Sequence, residues 1–170
     1  MAHWDTLRAR FFLTYTALWA LLGTWLAVAF SSAGPVYFDE VTGSPGGFEP
    51  LLAYLEDLHT RAPLMALEVQ RLLWDGHVGL AESPVEGISA MPSMHVAIPI
   101  LLAITAYRVH RALGLAMSAY VLLVFAGSVH LAWHYAVDGY AASLLVPLVW
   151  VGAGRVQEWT DARSSRGAPH

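Results

Sequence analysis

Four stretches of the chain are almost entirely apolar. The first, residues 11–30, contains no charged residue, and the others cover 91–107, 112–131 and 136–154. A helix needs about 20 apolar residues to cross the roughly 30 Å hydrocarbon core of a bilayer. The last stretch also contains Pro147 and several glycines, which a spanning helix tolerates when its neighbours satisfy the backbone. The pattern predicts an all-α, polytopic membrane bundle of about four transmembrane helices.

A more polar segment, residues 31–90, separates the first two stretches and is too long for a structureless loop. Apolar residues recur at helical spacing over 49–57 and 63–75, which predicts two short amphipathic helices at the outer membrane surface. Residues 1–156 are therefore expected to form one membrane domain. Residues 157–170 are expected to be a cytoplasmic tail, and the last dozen residues, which are polar, are expected to lack regular structure.

Composition supports a membrane protein and excludes other classes. The 170 residues are 56% hydrophobic and only 13% charged, whereas soluble domains are usually about a quarter charged. The chain has no cysteine, so disulfides and thiolate metal sites are excluded. A net charge of -4 provides no basic surface for nucleic acid, which is therefore not an expected partner.

The placement of the basic residues, all nine of which are arginines, predicts the orientation of the helices. Loops on the cytoplasmic side carry an excess of basic residues. With the N-terminus in the cytoplasm, only Arg61 and Arg71 fall outside. Seven arginines lie on the cytoplasmic side: Arg8, Arg10, Arg108, Arg111, Arg155, Arg163 and Arg166. An alternative for residues 11–30 is a cleaved signal peptide, although the apolar stretch exceeds the usual length of about 7–15 residues.

Two polar clusters lie at the outer ends of the apolar stretches. The first begins at Gly87 and ends in Met91-Pro92-Ser93-Met94-His95. Ser93 is suited to cap a helix that begins here, and the N-terminus of a helix favours phosphate. His95 would lie in the first turn, within reach of the same anion. The alternative is a capped helix with an incidental histidine at the membrane surface.

The second cluster consists of His130, His134 and Asp138, which are four residues apart. A continuous helix would place all three on one face, and a carboxylate one turn from an imidazole can fix its tautomer. Two alternatives are a polar seam between packed helices and a zinc site. Because the helix that starts near His95 runs inward and the next one returns outward, both clusters are expected on the same side of the membrane.

The motif Pro92-Ser93-Met94-His95, followed by His134 and Asp138, resembles the type 2 phosphatidic acid phosphatase superfamily. The sequences around Ser32-Ala33-Gly34-Pro35 and Trp133-His134-Tyr135 are most similar to those of its inositol phosphorylceramide synthase-like branch. The resemblance implies that His134 is a nucleophile that forms a phosphohistidine, that Asp138 orients it and that His95 protonates the leaving alcohol. It implies a lipid phosphate substrate and requires no cofactor or metal.

The chain departs from the family pattern in its basic residues. A Ser-Arg pair of the family is replaced by Gly127 and Ser128, its upstream lysine-rich motif is not found, and counterparts of the first two of six helices are not evident. Phosphate-binding residues are therefore expected to be Ser93, His130 and Ser128.

The leading hypothesis is a lipid-phosphate phosphatase or phosphotransferase active on the outer face. The alternatives are a metal-dependent hydrolase, with His95, His130, His134 and Asp138 as ligands, and an inactive binding protein. The sequence does not specify an oligomeric state.

Overall fold

The computed structural model describes residues 2–80 and 89–167, with side chains described from residue 4 to residue 163. The start of the first polar cluster, Gly87 and Ile88, lies outside the described residues, as does the rest of 81–88. Within the described part the regular structure is helical. Its elements are α1 (Ala2–Ala20), a π-helical turn (Leu21–Leu26), α2 (Ala27–Ala29), a 3-10 turn (Pro35–Tyr37), α3 (Phe38–Thr42), α4 (Glu49–Arg61), α5 (Met65–His77), α6 (Met94–Val109), α7 (Arg111–His130) and α8 (Ala136–Gly167).

The long helices confirm the predicted membrane bundle. In the described part of the chain, three helical segments are long and apolar enough to cross a membrane: Trp4–Ala29, Arg111–His130 and Ala136–Arg163. The helix α6 is equally apolar but has only 16 residues, about 24 Å at 1.5 Å per residue. Large apolar side chains such as Trp25, Leu122 and Leu144 face outward, as expected for helices whose outer surface contacts lipid.

The core of the bundle lies between α1, α6 and α8. Leu18 and Leu22 from the first helix pack with Leu101 of α6 and with Val146 and Trp150 of α8. In lipid such packing depends on close van der Waals contact, because hydrocarbon tails are as apolar as the side chains themselves. The helix α7 packs mainly along α6, and few of its residues are buried.

The two predicted amphipathic helices are present as α4, which is four residues longer than the pattern over 49–57, and α5, which is shifted by two residues from the pattern over 63–75. Leu55 of α4 and Leu67 of α5 are buried together with Ala132, which lies between α7 and α8. The helices of the outer segment are therefore packed onto the connection that follows α7. The same connection contains His134, so α4 and α5 pack against the chain segment that carries part of the second polar cluster.

The end of the chain differs from expectation. The helix α8 continues to Gly167 and so includes most of the last dozen residues, for which the sequence predicted no regular structure. Gln157 and Arg163 are good helix formers, and the Gln157 side-chain amide donates a hydrogen bond to the Thr6 carbonyl oxygen at 3.1 Å. The last turns of α8 are thus held against the start of α1.

Candidate active site

The first polar cluster forms the start of α6. Ser93 is the N-cap residue, and its side chain accepts a hydrogen bond from the Val96 backbone N–H at 3.3 Å. Its own N–H donates to the Asp138 carbonyl oxygen at 3.3 Å, which joins α6 to α8. Ser93 is fully buried, whereas His95, in the first turn, is exposed. The predicted cap is present, and only His95 of the pair is open to a ligand.

The second polar cluster does not form a continuous helix. The helix α7 ends at His130, α8 begins at Ala136, and the five residues between them form a tight connection. Within it Ala132 has a φ of 58°, an uncommon left-handed conformation for a residue with a side chain. The backbone N–H groups of Trp133 and His134 both donate to the Ser128 carbonyl oxygen. The connection turns His134 away from the face of α7 that carries His130.

His134 contacts His95 directly. The distance between His95 Nδ1 and His134 Nε2 is 3.0 Å, and His134 Nδ1 lies 2.8 Å from the Ala90 carbonyl oxygen. A carbonyl oxygen only accepts hydrogen bonds, so Nδ1 of His134 carries the proton and Nε2 carries a lone pair. The two imidazoles predicted to act together are therefore adjacent. The nitrogen of His134 that faces His95 is the one available for nucleophilic attack.

Asp138 lies beside this pair but is held mainly by the backbone. Its Oδ2 accepts a hydrogen bond from the Tyr135 N–H at 2.8 Å and is 3.5 Å from His134 Nδ1. Tyr135 is the residue before α8, so this bond closes the start of the helix as the third residue of a capping box does. Asp138 is 1% exposed, and its Oδ1 has no hydrogen-bond partner among the residues that the structure describes. The carboxylate is close enough to His134 to stabilise positive charge on it.

A cavity of about 470 Å³ opens beside the two histidines. His95 and His134 line it together with Ser89 and Ala90. Apolar residues of the first helix, of the outer segment and of the start of α6, including Met94, line other parts of it. None of the described lining residues is an arginine. The volume is within the range of about 300–1,000 Å³ that is typical of small-molecule sites.

The pKa of His134 is lowered from 6.5 to about 4, mainly by burial and to a smaller extent by the nearby His95. The hydrogen bond to Ala90 acts in the opposite sense but is outweighed. Burial disfavours the charged imidazolium because it removes the solvent that would stabilise it. His134 is therefore neutral at pH 7, which leaves its Nε2 lone pair available.

His130 and Ser128, the other predicted site residues near the end of α7, make their contacts with residues other than the two histidines. His130 is exposed, and its ring contacts that of Tyr54 with centroids 5.9 Å apart. The Ser128 hydroxyl donates to the Phe125 carbonyl oxygen at 2.9 Å and lies beside a second cavity, of about 310 Å³, that His95 also lines. Arg61 and Arg71 are exposed and paired with Asp57 and Glu56.

The ligand set of the metal-dependent alternative is not assembled. Among the side chains that the structure describes, in residues 4–80 and 89–163, no three from histidine, aspartate or glutamate come together in a way that could hold a metal ion. The reason is the connection after α7, which places His130 against α4 and His134 against α6.

Three contributors to the site were not identified from the sequence. The Ala90 carbonyl bonds His134, and Gln70, which is 3% exposed, donates to the Leu131 carbonyl oxygen at 2.8 Å. Gly34 lies so close to Trp133 that a Cβ there would be 2.2 Å from its carbonyl oxygen. Gly34 is recognisable in the sequence only as part of the family resemblance, and a backbone carbonyl and a glutamine on an amphipathic helix carry no sequence signal of their own.

The fold and the site together define a helical membrane protein with a pair of histidines at the edge of a partly apolar cavity. The family model of the PAP2 superfamily matches residues 2–152, and the chain belongs to that superfamily. Neither the curated proteins nor the solved structures give a match. Membership supports the predicted type 2 phosphatidic acid phosphatase resemblance at the superfamily level. It indicates a phosphatase- or phosphotransferase-type activity on lipid phosphates in a membrane.

Proposed function

We propose that the protein is a lipid-phosphate phosphatase or phosphotransferase that acts through a phosphohistidine at His134. The single observation that carries this proposal is the pairing of His134 Nε2 with His95 Nδ1 at 3.0 Å, while the other nitrogen of His134 is bound to the Ala90 carbonyl. A nucleophile and a separate acid at this distance can split the displacement at phosphorus into two easier steps.

The proposed reaction starts when a phosphate monoester displaces the contact between the histidines. Nε2 of His134 attacks phosphorus, the bond from phosphorus to the alcohol oxygen breaks, and a protonated His95 gives its proton to the departing alcohol. Water then attacks the phosphohistidine and transfers a proton to His95, and the bond between nitrogen and phosphorus breaks to release phosphate. A lipid or polyol hydroxyl in place of water would make the same site a transferase. We favour hydrolysis because water is always available.

Charge on the phosphate is compensated by few groups. The N-terminal end of α6, with its partial positive charge, lies at the cavity, because both Met94 and His95 line it. The protonated His95 supplies a full charge, and Asp138, 3.5 Å from His134 Nδ1, stabilises the positive charge that His134 acquires on phosphorylation. Phosphoryl transfer depends mainly on positioning and charge compensation, so this arrangement supports the chemistry without an arginine.

Two finer assignments are part of the proposal. The resemblance around Ser32-Ala33-Gly34-Pro35 and Trp133-His134-Tyr135 favours the inositol phosphorylceramide synthase-like branch, and thus a substrate with an apolar tail. The arginine distribution favours both termini in the cytoplasm and the histidine pair on the outer face. A cavity that includes Arg10 and Arg108 lies between Thr6, Trp150 and Asp161, on the cytoplasmic side in this orientation.

The proposal is tested with the purified protein in detergent and a set of lipid phosphates. We expect the parent to release phosphate and the His134→Asn variant to be inactive. His95→Asn should lose about 10²–10⁴-fold in turnover. Rapid acid-free quenching with ³²P-labelled substrate should trap an alkali-stable, acid-labile phosphoprotein in the parent and not in His134→Asn. A parent that turns over none of several lipid phosphates would refute the proposal and favour an inactive binding protein.

The metal-dependent alternative predicts a different effect of replacing His130. Because His130 contacts Tyr54 rather than the histidine pair, we expect the His130→Asn variant to retain activity. A metal site that used His130 as a ligand would lose activity in this variant and on exhaustive chelation. Loss of activity both in His130→Asn and on chelation would establish a metal-dependent hydrolase.

A further inference from the structure

The apolar part of the cavity is built by an irregular stretch of the first helix. The regular α1 gives way to the π-helical turn Leu21–Leu26, after which helical geometry resumes in α2. Leu22 and Gly23 of this turn line the cavity, as do Trp19 before it and Ala27 after it. A π-helical turn is rare and often lies at a functional site. Here the π-helical turn lines the same cavity as the two histidines.

Gly23 lies where the first helix and the start of α6 both line the cavity. A Cβ on residue 23 would lie 3.0 Å from the indole ring of Trp19 and 3.8 Å from Cγ of Met94. The indole therefore already packs closely on the glycine, and a larger side chain at this position would displace it or project into the cavity. Trp19, Gly23, Met94 and His95 all line that cavity. We call the part of the cavity beside these residues the gap at Gly23, and it extends from His95 along Met94 toward Trp19.

The outer end of this gap faces the surroundings of the bundle. Trp19 is 48% exposed, whereas Leu22 is fully buried, so the indole marks where the cavity wall meets the outer surface of the helix. Trp25, in the same π-helical turn, is also exposed. A tail that followed the gap would have one end at the histidines and the other in contact with bilayer lipid.

We propose that the gap at Gly23, between Trp19 and Met94, is the passage for the substrate's hydrocarbon tail, and that Gly23 is a specificity-determining residue that admits tailed phosphate esters. This inference rests on the proposed function, because the phosphate is taken to lie at His95 and His134. It assigns to the first helix the recognition of the apolar part of the substrate, and to α6 and the connection before α8 the recognition of the phosphate.

The test compares two substrates in the parent and in the Gly23→Leu variant. One substrate is a long-chain phosphatidic acid in mixed micelles, and the other is glycerol 3-phosphate, which has no tail. We expect Gly23→Leu to lower kcat/KM for the lipid by roughly tenfold or more, as for a methylene-scale mismatch in an apolar pocket. Turnover of glycerol 3-phosphate should stay within about twofold of the parent. Equal effects on both substrates, or no effect on the lipid, would overturn the inference.

A matched control and a second readout separate this inference from the proposed function. Gly152→Leu adds the same side chain to a helix at a site where, among the described residues and apart from the adjoining backbone of its own helix, a Cβ has no neighbour within 4 Å. We expect this variant to match the parent on both substrates. A long-chain alkylphosphonate with a diazirine in its tail gives a readout that does not need turnover. Crosslinks at Trp19 and Met94 that disappear in Gly23→Leu support the passage even if the parent is inactive. Crosslinks confined to other helices would refute it.

Discussion

At the scale of single residues, the state of His134 is set by a backbone group. The Ala90 carbonyl is 2.8 Å from Nδ1, whereas Asp138 Oδ2 is 3.5 Å away and already accepts the Tyr135 N–H. The carbonyl fixes the tautomer, and the carboxylate contributes charge and closes the start of α8. In a catalytic triad a single aspartate both fixes the tautomer of the histidine and stabilises its positive charge. Here the first task falls to the Ala90 carbonyl oxygen and the second to the Asp138 side chain.

The lowered pKa of His134 predicts a dependence of stability on pH. The folded protein binds a proton at His134 only near pH 4, whereas the unfolded chain binds it near pH 6.5. Between these values the unfolded state holds more protons, so stability falls as the pH is lowered from 6.5 toward 4. We expect the thermal unfolding midpoint in detergent to fall less over this range in His134→Gln than in the parent.

The control for this measurement is His77→Gln, which removes an exposed imidazole on α5. Because His95 faces His134 and also titrates, the informative quantity is the difference between the parent and the His134 variant. Parallel curves for the parent and His134→Gln over the whole range would contradict the lowered pKa.

At the scale of helices, the outer segment supports the connection that holds His134. The Gln70 side chain of α5 donates to the Leu131 carbonyl oxygen at 2.8 Å, and the Tyr37 hydroxyl donates to the carbonyl oxygen of Gln70 at 2.8 Å. The Val36 N–H donates to the Ala132 carbonyl oxygen at 3.1 Å. These bonds hold a connection whose Ala132 is in a left-handed conformation, which costs energy for a residue with a side chain.

Removal of the Gln70 amide is therefore expected to affect turnover more than binding. In Gln70→Met the side chain keeps its length but the Leu131 carbonyl loses its donor, so the position of His134 becomes less well defined. We expect kcat to fall by roughly ten- to a hundredfold with KM changed by less than about twofold. Glu68→Gln, on the exposed side of the same helix, is the matched control. An unchanged kcat in Gln70→Met would show that the outer segment does not position the site.

The sequence predicted elements where the pattern is periodic and failed where tertiary contacts decide. The apolar spacing over 49–57 and 63–75 located α4 and α5, because the buried faces of those helices include Leu55 and Leu67. Nothing in the apolar run from Leu21 to Leu26 marks a π-helical turn. The apolar stretches 112–131 and 136–154 located the break between His130 and Ala136. The geometry of the connection was not predicted, because it depends on contacts with Val36 and Gln70.

At the scale of the whole molecule, the arrangement of helix ends could be foreseen but its fine geometry could not. A helix that starts at His95 and one that returns toward His134 must end on the same side, and the 3.0 Å contact agrees with that expectation. The wall formed by Gly23 and Trp19 was not foreseen, because the contribution of the first helix to the cavity follows only from its packing against α6 and α8. Long-range packing, rather than local pattern, completes the site.

The proposed orientation of the bundle is testable because the chain contains no cysteine. Ser44→Cys places a thiol in the exposed outer segment, and Thr160→Cys places one on the last turns of α8, which pack beside Thr6 at the other end of the bundle. With basic residues held on the cytoplasmic side, a membrane-impermeant maleimide should label Ser44→Cys in spheroplasts or intact cells and Thr160→Cys only after lysis. The opposite pattern would place the histidine pair in the cytoplasm, and labelling of both thiols before lysis would show that the two ends are not separated by a membrane.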